Sequence, residues 1–121
     1  MPDPRHLLGV QGEEAAARWL VTRGWVVLAR RWRASDGELD LVCRDPDGML
    51  VGVEVKLRST GRAGAGAESV DARRVVRLRH VLATYAATRN EPATGLRLDL
   101  VTLTREGSAW RLVHQRSLDG W

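Results

Sequence analysis

At 121 residues, 44% hydrophobic and 28% charged, the chain has ordinary globular usage, which excludes a disordered or collagen-like protein and points to a single domain spanning residues 1–121. Its longest apolar run, Trp25 to Ala29, is far too short for a membrane helix; Glu13 and Glu14 break any signal-peptide core, and a lone cysteine with three histidines excludes an internal disulfide or a structural zinc centre, so a reducing cytoplasmic setting is expected. Nineteen basic residues against fifteen acidic give a net charge of +4, which favours a polyanionic partner without requiring one.

Leu8, Gly12, Ala15, Ala16, Trp19 and Leu20 recur at three- and four-residue spacing, and Gly24 supplies a stop, so residues 5–23 read as an amphipathic helix. Trp25 to Arg33, rich in Val and Trp, reads as a strand, 34–37 as a turn, and Glu38 to Arg44 as a second strand. Asp45-Pro46-Asp47-Gly48 is a turn signal, followed by a third strand from Met49 to Arg58. Residues 59–69 carry small residues without periodicity and are expected to form a mobile loop. Asp71 is a candidate N-cap for a second helix whose stripe is Val75, Leu78, Leu82 and Tyr85, ending near Arg89. Leu96 to Thr104 and Trp110 to Arg116 complete the order α-β-β-β-α-β-β.

Because side chains alternate along a strand, Glu38, Asp40 and Val42 are expected on one face and Leu39, Leu41 and Cys43 on the other. Glu54 and Lys56 likewise share a face of the third strand. If the two acidic faces coincide, Asp40 and Glu54 converge as hard oxygen ligands with Lys56 one strand step away, a set suited to magnesium or manganese. A cation there would activate water and neutralise a phosphate, and an ammonium beside it would orient that water. Eighteen of the nineteen basic residues are arginine, so the sole lysine, Lys56, marks a place where a compact point charge is used. Acids make up 15 of 121 residues, so Glu-x-Lys alone is a weak signal, and a same-face salt pair is the plain alternative.

Glu13 borders the apolar face of the first helix, as a metal-site acid or as a helix-dipole acid, whereas Glu14 pairs with Arg18 in the ordinary i,i+4 manner. Arg74 borders the stripe of the second helix, within reach of a phosphate. Arg31 and Arg33 flank Trp32, a candidate for base stacking, and Arg58 and Arg62 flank the small-residue loop; these arginines suit phosphate contacts or plain solvation. Trp19, Trp25 and Cys43 read as core, and His6 and His114 lack ligand-spaced partners.

Gly12-Glu13, Gly37-Glu38-Leu39-Asp40-Leu41, Val53-Glu54-Val55-Lys56 with Arg58, and a basic helix ending near Tyr85 resemble the bacterial YraN-like family, UPF0102. That family is similar in pattern to PD-(D/E)xK nucleases, especially Holliday-junction resolvases. The resemblance implies a restriction-endonuclease-like α-β-β-β-α-β core with a mixed central sheet. It also implies Asp40, Glu54 and Lys56 as the catalytic motif, Glu13 as the helix acid, and Mg2+ or Mn2+ held by Asp40 and Glu54. Three positions depart from the family's usual residues: Arg31 stands for Asn, Gly52 for Phe and Arg74 for Lys. Gly52 is expected to weaken packing under the third strand. The expectation is a metal-dependent nuclease acting on DNA, including branched or flapped forms, with a twofold dimer favoured by the resolvase resemblance. The alternatives are a non-catalytic nucleic-acid-binding or scaffold protein that keeps the fold, and a small-molecule or protein-interaction domain.

Overall fold

The computed structural model describes residues 4–58 and 71–118. The expected loop, with Arg62, lies outside the described residues. Helix α1 spans Pro4–Thr22, followed by β1 (Val26–Ala34), β2 (Gly37–Arg44) and β3 (Leu50–Arg58); α2 (Ala72–Arg89) leads to β4 (Leu96–Glu106) and β5 (Ala109–Gln115). Each element lies within two residues of the sequence expectation at either end.

The local chemistry explains these boundaries. Asp71 caps α2 by accepting the Arg74 N–H at 2.8 Å, and Asn90 ends the helix in the left-handed region with φ 49°. Between β2 and β3 the Asp45 carboxylate accepts the N–H groups of Asp47 and Met49 at 2.9 and 3.0 Å, while Gly48 takes the φ of 88° that closes the turn.

The five strands form one mixed sheet in the order β1-β2-β3-β4-β5. Neighbours are antiparallel except β3 and β4, which run parallel because α2 carries the chain across between them. Each face is covered by one helix. On one side Ala16, Ala17 and Leu20 of α1 pack on Leu41, Cys43, Val51, Val53, Val101 and Leu103. On the other, Leu78, Val81, Leu82 and Tyr85 of α2 pack on Leu39, Val42, Leu50 and Leu98. Cys43 is core, and burial pushes its thiol up to about 12, leaving it an inert packing group.

One expectation about the faces fails. Leu39 lies with Val42 on the α2 side, not with Leu41 and Cys43 on the α1 side. The period of two breaks at Asp40. The β1–β2 register runs from Arg30↔Leu41 to Trp32↔Leu39, and the residue between them on β1, Arg31, has a left-handed φ of 49°. The β2–β3 ladder stops at Leu41↔Val53, so the two strands part just where Asp40 and Glu54 stand.

The diverted Leu39 fills the space over Gly52. A Cβ at Gly52 would lie 3.0 Å from both Leu39 Cδ2 and Leu98 Cδ2. The glycine therefore marks a filled position, not the packing defect that the sequence suggests.

Candidate active site

The fork between β2 and β3 collects the predicted acids. With no β2 partner for β3 beyond Val53, the Val55 N–H donates instead to Asp40 Oδ2 at 2.8 Å, which turns the Asp40 side chain across the gap onto β3. Glu54, buried to 6% exposure, projects from β3 on the α2 face. Burial, first, and then the Glu54 carboxylate push the Asp40 carboxyl up to about 7, against the pull of the Val55 hydrogen bond; Glu13 adds a smaller push in the same direction. Asp40 thus titrates close to neutral pH.

Each of the other two acids meets an arginine. Arg74 donates from Nε to Glu54 Oε2 at 3.1 Å and from Nη2 to the same oxygen, while Glu54 Oε1 is buried without a donor. The hydrogen bond and charge of Glu54 hold the Arg74 guanidinium above its ordinary pKa. Across the site Arg31 Nε donates to Glu13 Oε1 at 2.8 Å, with the same upward effect on Arg31. The left-handed backbone at position 31 is one that asparagine, the residue the family resemblance leads one to expect there, adopts more readily than arginine; Arg31 accepts the strain and anchors Glu13.

Lys56 follows Glu54 on the same strand face, half-buried, and no carboxylate of a described residue pairs with it. The same-face Glu54–Lys56 salt pair is thus replaced by Glu54–Arg74. Glu14 also has a different partner than expected: Arg30 at 2.7 Å, not Arg18. Arg33 is well exposed beside Glu38 at 3.0 Å, and Arg58 ends β3. Trp32 is half-buried and edge-on to Tyr85 with centroids 5.2 Å apart, so its ring packs against the α2 layer.

The donor set fits a hard divalent cation. Two carboxylates converge, one raised towards neutral pH and the other carrying an oxygen that no donor satisfies. No cluster of three or more His, Cys, Asp or Glu with metal-holding geometry occurs among the described residues. Two carboxylates are as many as magnesium usually takes from a protein, the rest of its shell being water and substrate oxygens.

A second charged cluster, on the opposite face of the sheet, escaped the sequence reading. Arg97, buried to 5%, donates to Asp99 from Nε and Nη2 at 2.8 and 3.0 Å and to Asp45 from Nη1 at 2.9 Å. Asp99 also accepts from Ser117 N at 3.1 Å and meets His114 Nε2 at 2.8 Å, and the His114 ring stands edge-on to Trp19 and Trp25. Burial drives both carboxyls upward, but the hydrogen bonds and the Arg97 charge prevail and hold Asp45 and Asp99 below their usual value. Every acid here is satisfied, so the cluster acts as an internal clamp. Its members come from four separate segments, and only Asp99, an acid inside an apolar strand, left any trace in the sequence.

The chain is a three-layered α/β protein, its sheet between α1 and α2, with a restriction-endonuclease-like core, β5 extending the sheet edge, and an acidic site at the strand fork. Residues 12–103 match the model of the uncharacterised protein family UPF0102, and the chain belongs to that family. It is 42% identical to a UPF0102 protein of Beutenbergia cavernae, covering 92% of this chain and 94% of that one. A UPF0102 protein of Pelotomaculum thermopropionicum is 40% identical, with coverage of 94% and 96%. Among solved structures, SfsA of Pyrococcus furiosus in complex with Ca2+ aligns at 10% identity with a TM-score of 0.34, and this chain spans 64% of its length. No helix among the described residues is long and apolar enough to cross a membrane.

Proposed function

We propose that this protein is a magnesium- or manganese-dependent nuclease that hydrolyses phosphodiester bonds in DNA, with branched or flapped structures as its preferred class. The observation that carries the reading is the meeting of Asp40 and Glu54 at the strand fork, where burial leaves one carboxyl protonated near neutral pH and one carboxylate oxygen without a donor. Structural acids are expected to be paired and hydrogen-bonded, as Asp45 and Asp99 are. Two acids held together in the interior, with the Glu54 oxygen Oε1 left without a donor, favour a functional role over a purely structural one.

Asp40 and Glu54 would hold the cation, whose chemistry is to lower the pKa of a bound water and to neutralise the phosphate. The chain's own residues do the remainder. Lys56 orients the attacking water and stabilises the charge that builds on phosphorus-bound oxygen as the P–O bond breaks. Glu13, anchored by Arg31, adds a carboxylate at the rim of the site. Arg31, Arg33, Arg58 and Arg74 supply guanidinium contacts to backbone phosphates, which position a strand without reading its sequence.

The test incubates the purified protein with linear, nicked, flapped and four-way DNA and either metal, beside Asp40→Ala and Glu54→Ala. Cutting that needs metal and disappears in both variants is the expected result. Salt-dependent binding without cutting, unchanged by the substitutions, would replace the nuclease by a non-catalytic DNA-binding module, and absence of both would remove the nucleic-acid reading.

A further inference from the structure

Arg74 touches Glu54 with only one edge of its guanidinium. Nε and Nη2 both end on Oε2, so the carboxylate is gripped at one oxygen while Oε1 keeps the lone pairs that a cation shared with Asp40 would use. The Arg74 side chain is nevertheless 46% exposed, against 7% for Glu54. Guanidinium carries five N–H donors in a rigid plane, of which the contacts to Glu54 use only part. Its starting point is also fixed, because the Arg74 backbone N–H is the one that Asp71 caps.

We propose that Arg74 is a positioning residue that works in two directions, one edge locking Glu54 so that Oε1 is presented for the divalent cation and the other taking a phosphate oxygen of the DNA backbone. This rests on the metal-dependent reading above and specifies how that site couples metal to substrate. A lysine at this position would supply the charge but not the two edges, since an ammonium is a point donor without a plane. Arg74 thereby ties the order of the metal ligand to the presence of the phosphate.

The experiment measures two equilibria in the intact protein: Mn2+ binding, from loss of the free aquo-ion signal in electron paramagnetic resonance, and binding of a flapped DNA in Ca2+ across a salt series. Arg74→Met is expected to weaken Mn2+ about tenfold, as loss of an outer partner of a metal ligand does, and to lower the log–log salt slope by about one. Arg74→Lys is expected to restore the slope but only part of the Mn2+ affinity, and it carries the test by itself should the Met variant not fold. Mn2+ affinity that is unchanged or tighter in Arg74→Met, or fully restored in Arg74→Lys, overturns the proposal, because the guanidinium would then merely neutralise Glu54. Wild-type protein that binds no Mn2+, or binds it equally well as Asp40→Ala, removes the metal-dependent reading and this inference with it.

Discussion

Replacing Asp40 by asparagine should make the metal-free protein more stable, by an amount that grows as pH rises from 3.8 and is complete above about 7. Asp40 is lifted from 3.8 to about 7 by burial and by the Glu54 carboxylate. A group whose folded pKa is raised contributes stability that is complete below pH 3.8 and is lost as pH rises through 7. At about 1.4 kcal/mol per unit the full loss would be about 4 kcal/mol. Partial exposure of Asp40 to water reduces the expected effect to about 2–3 kcal/mol. Asparagine keeps an oxygen for the Val55 N–H and has no charge to desolvate, so Asp40→Asn escapes the loss. Urea denaturation with EDTA at pH 8 should then place the variant about 2–3 kcal/mol above the wild type, with the two nearly equal at pH 4. Saturating Mn2+ should raise the wild type at pH 8 and leave the variant unmoved. A variant that is destabilised to the same extent at both pH values would refute the claim that Asp40 is kept in an unfavourable ionic setting.

Two further substitutions probe the scaffold. Gly52→Val drives side-chain atoms into Leu39 and Leu98 and should cost about 2 kcal/mol by overpacking, with a smaller cost in a Leu39→Ala background; equal losses in both backgrounds would show that Leu39 does not occupy that space. Arg97→Met strands Asp45 and Asp99 in the interior and should cost about 3–5 kcal/mol in urea denaturation while leaving the Mn2+ affinity of the folded fraction intact; a loss below about 1 kcal/mol would mean that water reaches the clamp.

The elements and their ends were legible because their causes are local. The α1 stripe, the Asp45-to-Gly48 turn and the Asp71 cap each act within a few residues of themselves, so the expected helix over 5–23 became Pro4–Thr22 and the expected cap was observed. The candidate acids were legible for a related reason: Asp40 and Glu54 are charges flanked on both sides by apolar residues, Leu39 and Leu41 in one strand and Val53 and Val55 in the other.

What the local pattern could not contain is how those acids are held. Alternation put Leu39 on the wrong face, because the kink at Asp40 depends on β3 parting from β2 and offering the Val55 N–H. Adjacency suggested Lys56 for Glu54, but the partner is Arg74, 20 residues on, delivered from the helix above. Arg97 needed Asp45, 52 residues away, before it could be buried. Composition and periodicity thus determined what kinds of element this chain makes and which residues stand out within them. The tertiary structure decided the pairing of charges, because the energy of burying a charge depends on what lies within a few ångströms of it and not on its neighbours in the chain.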